Sequence, residues 1–115
     1  GYRGIASGTY SSVAGGILCT ATASYSAAYG GERSKASGSR SVAIGGSFNE
    51  AIANYSTAVG GRSNRAGTAA TSGDYSVVVG GNNGTTSGGR SNVVVGGNGL
   101  SEDTNYEVTL GPINP

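Results

Sequence analysis

Six Gly-Gly pairs punctuate the chain, at residues 15–16, 30–31, 45–46, 60–61, 80–81 and 96–97, so that successive intervals are 15, 15, 15, 20 and 16 residues. Aligned on these pairs, the preceding segments read YSSVAGG, YSAAYGG, RSVAIGG, YSTAVGG, YSVVVGG and SNVVVGG. Ser11, Ser26, Ser41, Ser56 and Ser76 stand four places before the first glycine, and Ala21, Ala36, Ala51 and Ala66 stand six places after it. A register this regular is the mark of a repeat architecture. Fifteen residues are too few for a helix pair and too regular for a loop. They fit one coil of a β-solenoid, made of two short strands and two turns. The β-branched runs Val42-Ala43-Ile44, Val77-Val78-Val79 and Val93-Val94-Val95 favour strand before the glycines. The glycines themselves supply positive φ and let the backbone turn tightly against the coils on either side. Twenty-three glycines in 115 residues therefore argue for a rigid rod, where an unregistered glycine-rich chain would be a flexible linker.

The two strands of a coil carry different patterns. After the glycines, apolar and polar residues alternate, as in Thr20-Ala21-Thr22-Ala23 and Glu50-Ala51-Ile52-Ala53-Asn54. That is one buried face and one wet face. Before the glycines, three successive positions are apolar, so both faces avoid water. A thin coil covers one of them with its own interior, and the other is expected to meet another chain. The expectation is an obligate oligomer, with Val42, Ile44, Val59, Val77, Val79, Val93 and Val95 as core or contact residues and Ile44 in a buried row. Which row faces the interior and which the neighbouring chain stays open at this level.

Composition removes whole classes of chemistry. There is no His and a single Cys, so neither a histidine-based nucleophilic triad nor a cysteine- and histidine-ligated zinc site is available. The acidic residues are few and scattered, which leaves no persuasive carboxylate pair. A polysaccharide-cleaving solenoid would need such groups clustered on one face, and a non-catalytic protein without cofactor or metal is the expectation. The formal net charge of +1 points away from nucleic acid and from anionic membrane surfaces as partners. No stretch is long and apolar enough for direct membrane insertion.

The segment Ser41-Val42-Ala43-Ile44-Gly45-Gly46-Ser47, set in a repeat of this length, resembles the head repeat of YadA-like trimeric autotransporter adhesins. The resemblance covers about residues 1–99. It implies an all-β, left-handed parallel β-roll or solenoid of about six 15-residue coils, assembled side by side as a homotrimer. It also implies an extracellular location on a bacterial surface, with a host surface protein, extracellular matrix or a glycan as partner. Similar repeats occur in phage tail fibres, where the same rod would be a structural or receptor-binding segment of a virion. The chain departs from the commoner pattern in its doubled glycine, in the Tyr that precedes Ser, and in one lengthened coil. Residues 100–115 break the register and read as a capping or connecting segment, since the end strand of a solenoid has to be covered or made unsuitable for pairing.

In a parallel stack, residues one repeat apart become neighbours at about 4.8 Å. The fifth place before Gly-Gly then forms a column of Tyr10, Tyr25, Arg40, Tyr55 and Tyr75, with Arg40 between two rings. Such a column is either a register ladder or an adhesive surface, because rings give contact area at low entropic cost. Lys35, Glu50 and Arg65 form a second column of alternating charge, read as a register and solubility device. The long coil adds about five residues within 67–74. Thr68, Thr71 and Asp74 in this bulge are candidate binding residues, since inserted loops of repeat proteins often carry function.

Overall fold

The structure is a computed structural model that describes residues 2–67, 75–86, 91–99, 101–102 and 108–111. Two seven-stranded parallel sheets make a β-solenoid of about six turns, with no helix among the described residues. The first sheet collects the three-residue strands that precede the glycines: Ser12–Ala14, Ala27–Tyr29, Val42–Ile44, Thr57–Val59, Val77–Val79, Val93–Val95 and Val108–Leu110. The second collects the two-residue strands that follow them: Ile5–Ala6, Thr20–Ala21, Lys35–Ala36, Glu50–Ala51, Arg65–Ala66, Thr85–Thr86 and Ser101–Glu102. Register follows the repeat, with Ala28 beside Ala43, Ala43 beside Ala58, and Ala36 beside Ala51. Between the sheets runs a line of single bridges, Tyr2, Ile17, Glu32, Ser47, Arg62, Asn82 and Asn98. The strands Ser101–Glu102 and Val108–Leu110 add a last rung to both sheets.

The Cα atoms span 38 × 30 × 13 Å, and the short dimension decides the core. Two sheets so close leave room inside only for small side chains. The middle residue of each first strand points inward, as Ala28, Ala43, Ala58, Val78 and Val94, against Ala21, Ala36, Ala51 and Ala66 of the second sheet, and all are fully buried. The residues flanking them on each first strand necessarily point out. Ile44, expected in a buried row, is 39% exposed in the single chain. The reason is strand parity: Ala43 takes the inward place and its neighbours cannot share it.

A polar lattice lines the turns. Four of the five serines four places before the glycines are satisfied locally, with Oγ of Ser11, Ser26, Ser41 and Ser56 donating to the carbonyls of Gly8, Ala23, Gly38 and Ala53 at 2.6–2.7 Å, while Ser76 Oγ is buried without a partner among the described residues. Four places after the first glycine, Cys19, Ser34, Asn49 and Asn64 form a buried column that holds the Gly-Gly carbonyls. Cys19 Sγ donates to Gly30 O at 3.1 Å and Ser34 Oγ to Gly45 O at 3.2 Å. Asn49 does more. Its Nδ2 donates to Gly45 O (2.9 Å) and Gly60 O (2.7 Å), and its Oδ1 accepts from Asn64 N (3.0 Å). Asn49→Ala leaves the buried Asn64 N–H without its acceptor, while Gly45 O and Gly60 O keep bonds from Ser34 Oγ (3.2 Å) and Asn64 Nδ2 (3.1 Å). It is expected to cost about 1–3 kcal/mol, the cost of one unsatisfied buried group. Asn49→Ser, which the column already accepts at Ser34, is expected to lose less than the alanine variant; urea melts of the two variants check the order.

Candidate binding surfaces

The tyrosine column stands on the turn that enters each first strand. Tyr10, Tyr25, Arg40, Tyr55 and Tyr75 all adopt positive φ, between 56° and 61°, and Ser91 takes the same conformation in the next coil. A left-handed conformation costs a side-chain-bearing residue about 1–2 kcal/mol, so the column is held there by the coils around it. Backbone bonds between coils do this: Tyr25 N donates to Thr9 O at 2.8 Å, and Tyr55 N to Ser39 O at 2.8 Å.

The side chains stack as the register requires. Tyr10 and Tyr25 lie with ring centres 5.2 Å apart and planes 21° apart, and Tyr55 and Tyr75 at 4.9 Å and 16°. The Arg40 guanidinium sits between the pairs, 5.2 Å from the Tyr25 ring centre and 5.4 Å from that of Tyr55. Its Nη1 also donates to the Tyr55 hydroxyl at 3.0 Å. Most ring faces are thus covered by the neighbouring member. The ladder offers solvent its ring edges, its hydroxyls and one cation, plus the end faces of Tyr10 and Tyr75, which are 78% and 56% exposed. Arg40→Ala removes both cation–π contacts and is expected to lower stability by about 1 kcal/mol. Arg40→Tyr continues the stack and is expected to keep the native melting temperature; thermal melts distinguish the two.

The outer face of the first sheet is uncharged and mostly apolar, interrupted by the hydroxyls of Ser12, Tyr29 and Thr57. One row runs Ser12, Ala27, Val42, Thr57, Val77, Val93 and Val108; the other runs Ala14, Tyr29, Ile44, Val59, Val79, Val95 and Leu110. Every candidate contact residue lies here, half-buried or exposed in the single chain: Val42, Ile44, Val59, Val77, Val79, Val93 and Val95. Neither row carries a charge. On the opposite side, the outward residues of the second sheet include Thr20, Lys35, Glu50, Arg65 and Thr85. Glu50 and Arg65 form an ion pair at 3.6 Å with both side chains partly in solvent, an arrangement that contributes about 0–1 kcal/mol.

The candidate residues Thr68, Thr71 and Asp74 lie outside the described residues. Two features escaped sequence reasoning. One is the buried Cys19, Ser34, Asn49 and Asn64 column, whose only signal was a small polar residue at a fixed offset. The other is a second left-handed row, Arg3, Leu18, Arg33, Phe48, Ser63 and Asn83, which places Arg33 over the Phe48 ring at 5.3 Å. Of these six, only Asn83 is a residue type that favours this conformation. No protein-family model and no curated protein sequence matches the chain.

Proposed function

We propose that the chain is a rigid, non-catalytic segment of a homotrimeric extracellular fibre or adhesin head. Three left-handed β-rolls pack through the outer faces of their first sheets. Their remaining faces attach to a host surface protein, extracellular matrix or a glycan at a bacterial surface. The observation that carries this reading is the sidedness of the solenoid: two uncharged, valine-rich rows on one sheet and a charged, hydroxyl-bearing row on the other. Burying a Val or Ile side chain is worth about 1.5–3 kcal/mol, and the stacked register repeats that gain coil after coil. A flat parallel face of this kind is ordinarily covered. The YadA-like resemblance of the Ser41–Ser47 repeat supports three as the number of copies. Multi-angle light scattering tests the reading. The expected mass is three times 11.1 kDa, and a stable, folded monomer would remove the assembly and the fibre with it.

A further inference from the structure

We propose that a groove on the outer face of the second sheet, walled by Phe48 and edged by Glu50, Arg65 and Asn83, binds a neutral pyranose ring. The groove encloses about 390 Å³ and is lined by Phe48, Glu50, Ser63, Arg65, Asn83 and Thr85, with Asn64 behind them. That volume lies in the lower part of the range for small-molecule sites and has room for one or two sugar rings.

Phe48 is the anchor. Arg33 covers one of its faces at 5.3 Å. The next residue in the same row is Ser63, set beside it by the Ser47 and Arg62 bridge; it has neither ring nor long chain, so among the described residues no stacking partner covers the other face. A single uncovered aromatic face, electron-rich at its centre, is what the polarised axial C–H groups of a sugar stack upon. In the tyrosine ladder only the end faces, at Tyr10 and at Tyr75 beside Ser91, are left open, and neither stands beside the Glu50 and Arg65 pair that lines the Phe48 groove. Nor does the backbone need a ring at this place. Phe48 holds φ at 58°, and Gly99 occupies the equivalent turn at φ 70°, where glycine is the conformationally cheap choice.

The polar groups match hydroxyls in place of charge. The Glu50 carboxylate and the Arg65 guanidinium lie 3.6 Å apart, with side chains 32% and 47% exposed. Together they give an acceptor and a donor set for adjacent ring hydroxyls, and their charges cancel. An anionic ligand meets Glu50 and a cationic one meets Arg65. Asn83 and Thr85 of the next coil add an amide and a hydroxyl on the same side. The parallel ladders hold all of these on rigid backbone, so little ordering accompanies binding. The groove names the ligand class of the surface role proposed above. It is built within one chain, on the sheet opposite the proposed trimer contact, so it does not need the trimer to exist.

Saturation-transfer NMR on the full chain tests it with cellotetraose and lactose, whose β-linked glucose and galactose carry axial C–H groups on one face, and with a heparin tetrasaccharide as the charged counterpart. The expected result is transfer from aromatic protons to axial ring protons of a neutral sugar, with half-saturation on the order of 1 mM. Phe48→Ser, a residue the same row already holds at Ser63, is expected to weaken binding about tenfold or more while light-scattering mass and circular dichroism stay native and the melting temperature falls by only a few degrees, the loss of the Arg33 contact included. Glu50→Gln is expected to weaken it several-fold. The site is wrong if neither neutral sugar shows transfer, if Phe48→Ser binds as the native chain does, or if heparin binds in preference. A monomer that binds cellotetraose removes the trimer and keeps the groove; a trimer that binds neither neutral sugar does the reverse.

Discussion

Gly31→Ala is expected to lower the melting temperature by about 20 °C, whereas Gly30→Ala lowers it by about 5–10 °C. Both glycines have positive φ, 66° at Gly30 and 75° at Gly31. Conformation alone therefore charges alanine the same at either position, about 1–2 kcal/mol. The surroundings differ. A Cβ added at Gly30 meets nothing within 4 Å, while one added at Gly31 stands 2.6 Å from Gly46 O and 2.7 Å from Gly45 C. Those atoms are backbone of the next coil, and Glu32 N donates to the same Gly46 O at 2.9 Å, so they cannot retreat without opening the ladder. Overpacking adds about 1–3 kcal/mol to the conformational term, and a total near 4 kcal/mol is a large share of a small domain's stability. The same asymmetry recurs at Gly45 and Gly46 and at Gly60 and Gly61. Thermal melts of the two alanine variants decide it. Equal losses would mean that positive φ, and not the approach of the neighbouring coil, selects the second glycine.

That contrast shows how far the sequence could be read. The fifteen-residue register places the strands from Ser12–Ala14 to Val93–Val95, because each sits at a fixed offset from a Gly-Gly pair and parallel stacking preserves the offset; the last rung, Ser101–Glu102 and Val108–Leu110, falls in the segment that breaks the register. The inward row was harder to find, since three apolar residues in succession hide the alternation of a strand. A clue lay in size: Tyr29 and Ile44 share a row that a coil 13 Å thick cannot admit, while the middle row from Val13 to Val94 holds only Ala and Val. The left-handed turns at the Gly-Gly pairs were legible, and those at the side-chain-bearing rows of Tyr10 and Phe48 were not. Tyr, Arg, Leu and Phe carry no local signal for positive φ; the stacked coils impose it on them. For that reason the tyrosine column could be aligned from the sequence while the Phe48 groove could not. The groove depends on how two left-handed residues, Phe48 and Ser63, stand beside the charged row of the second sheet. Lys35, Glu50 and Arg65 read as a solubility device for as long as the ring next to them was unplaced.

Ala43→Asp and Ile44→Asp, one residue apart, are expected to fail in different ways. Ala43 is fully buried between Ala28 and Ala58, in an interior without a cation to meet a carboxylate among the described residues. Burying an unpaired charge costs several kcal/mol at least, and the inward rows above and below are too small to rearrange around it. Ala43→Asp is therefore expected to abolish the β circular-dichroism signal. Ile44 points the other way and is 39% exposed in one chain, so Ile44→Asp costs the isolated coil about 1 kcal/mol or less. In the proposed trimer the same substitution buries three carboxylates against one another and against Val42 and Val59 rows. The expected product is a folded chain with native-like circular dichroism and one third of the native mass by light scattering. A folded Ala43→Asp protein would reverse the assignment of the two faces. An Ile44→Asp protein with native mass and melting temperature would free the first sheet from the interface. Only the combination of an unfolded neighbour and a dissociated but folded partner places the interior on one side of this strand and the other chains on the other.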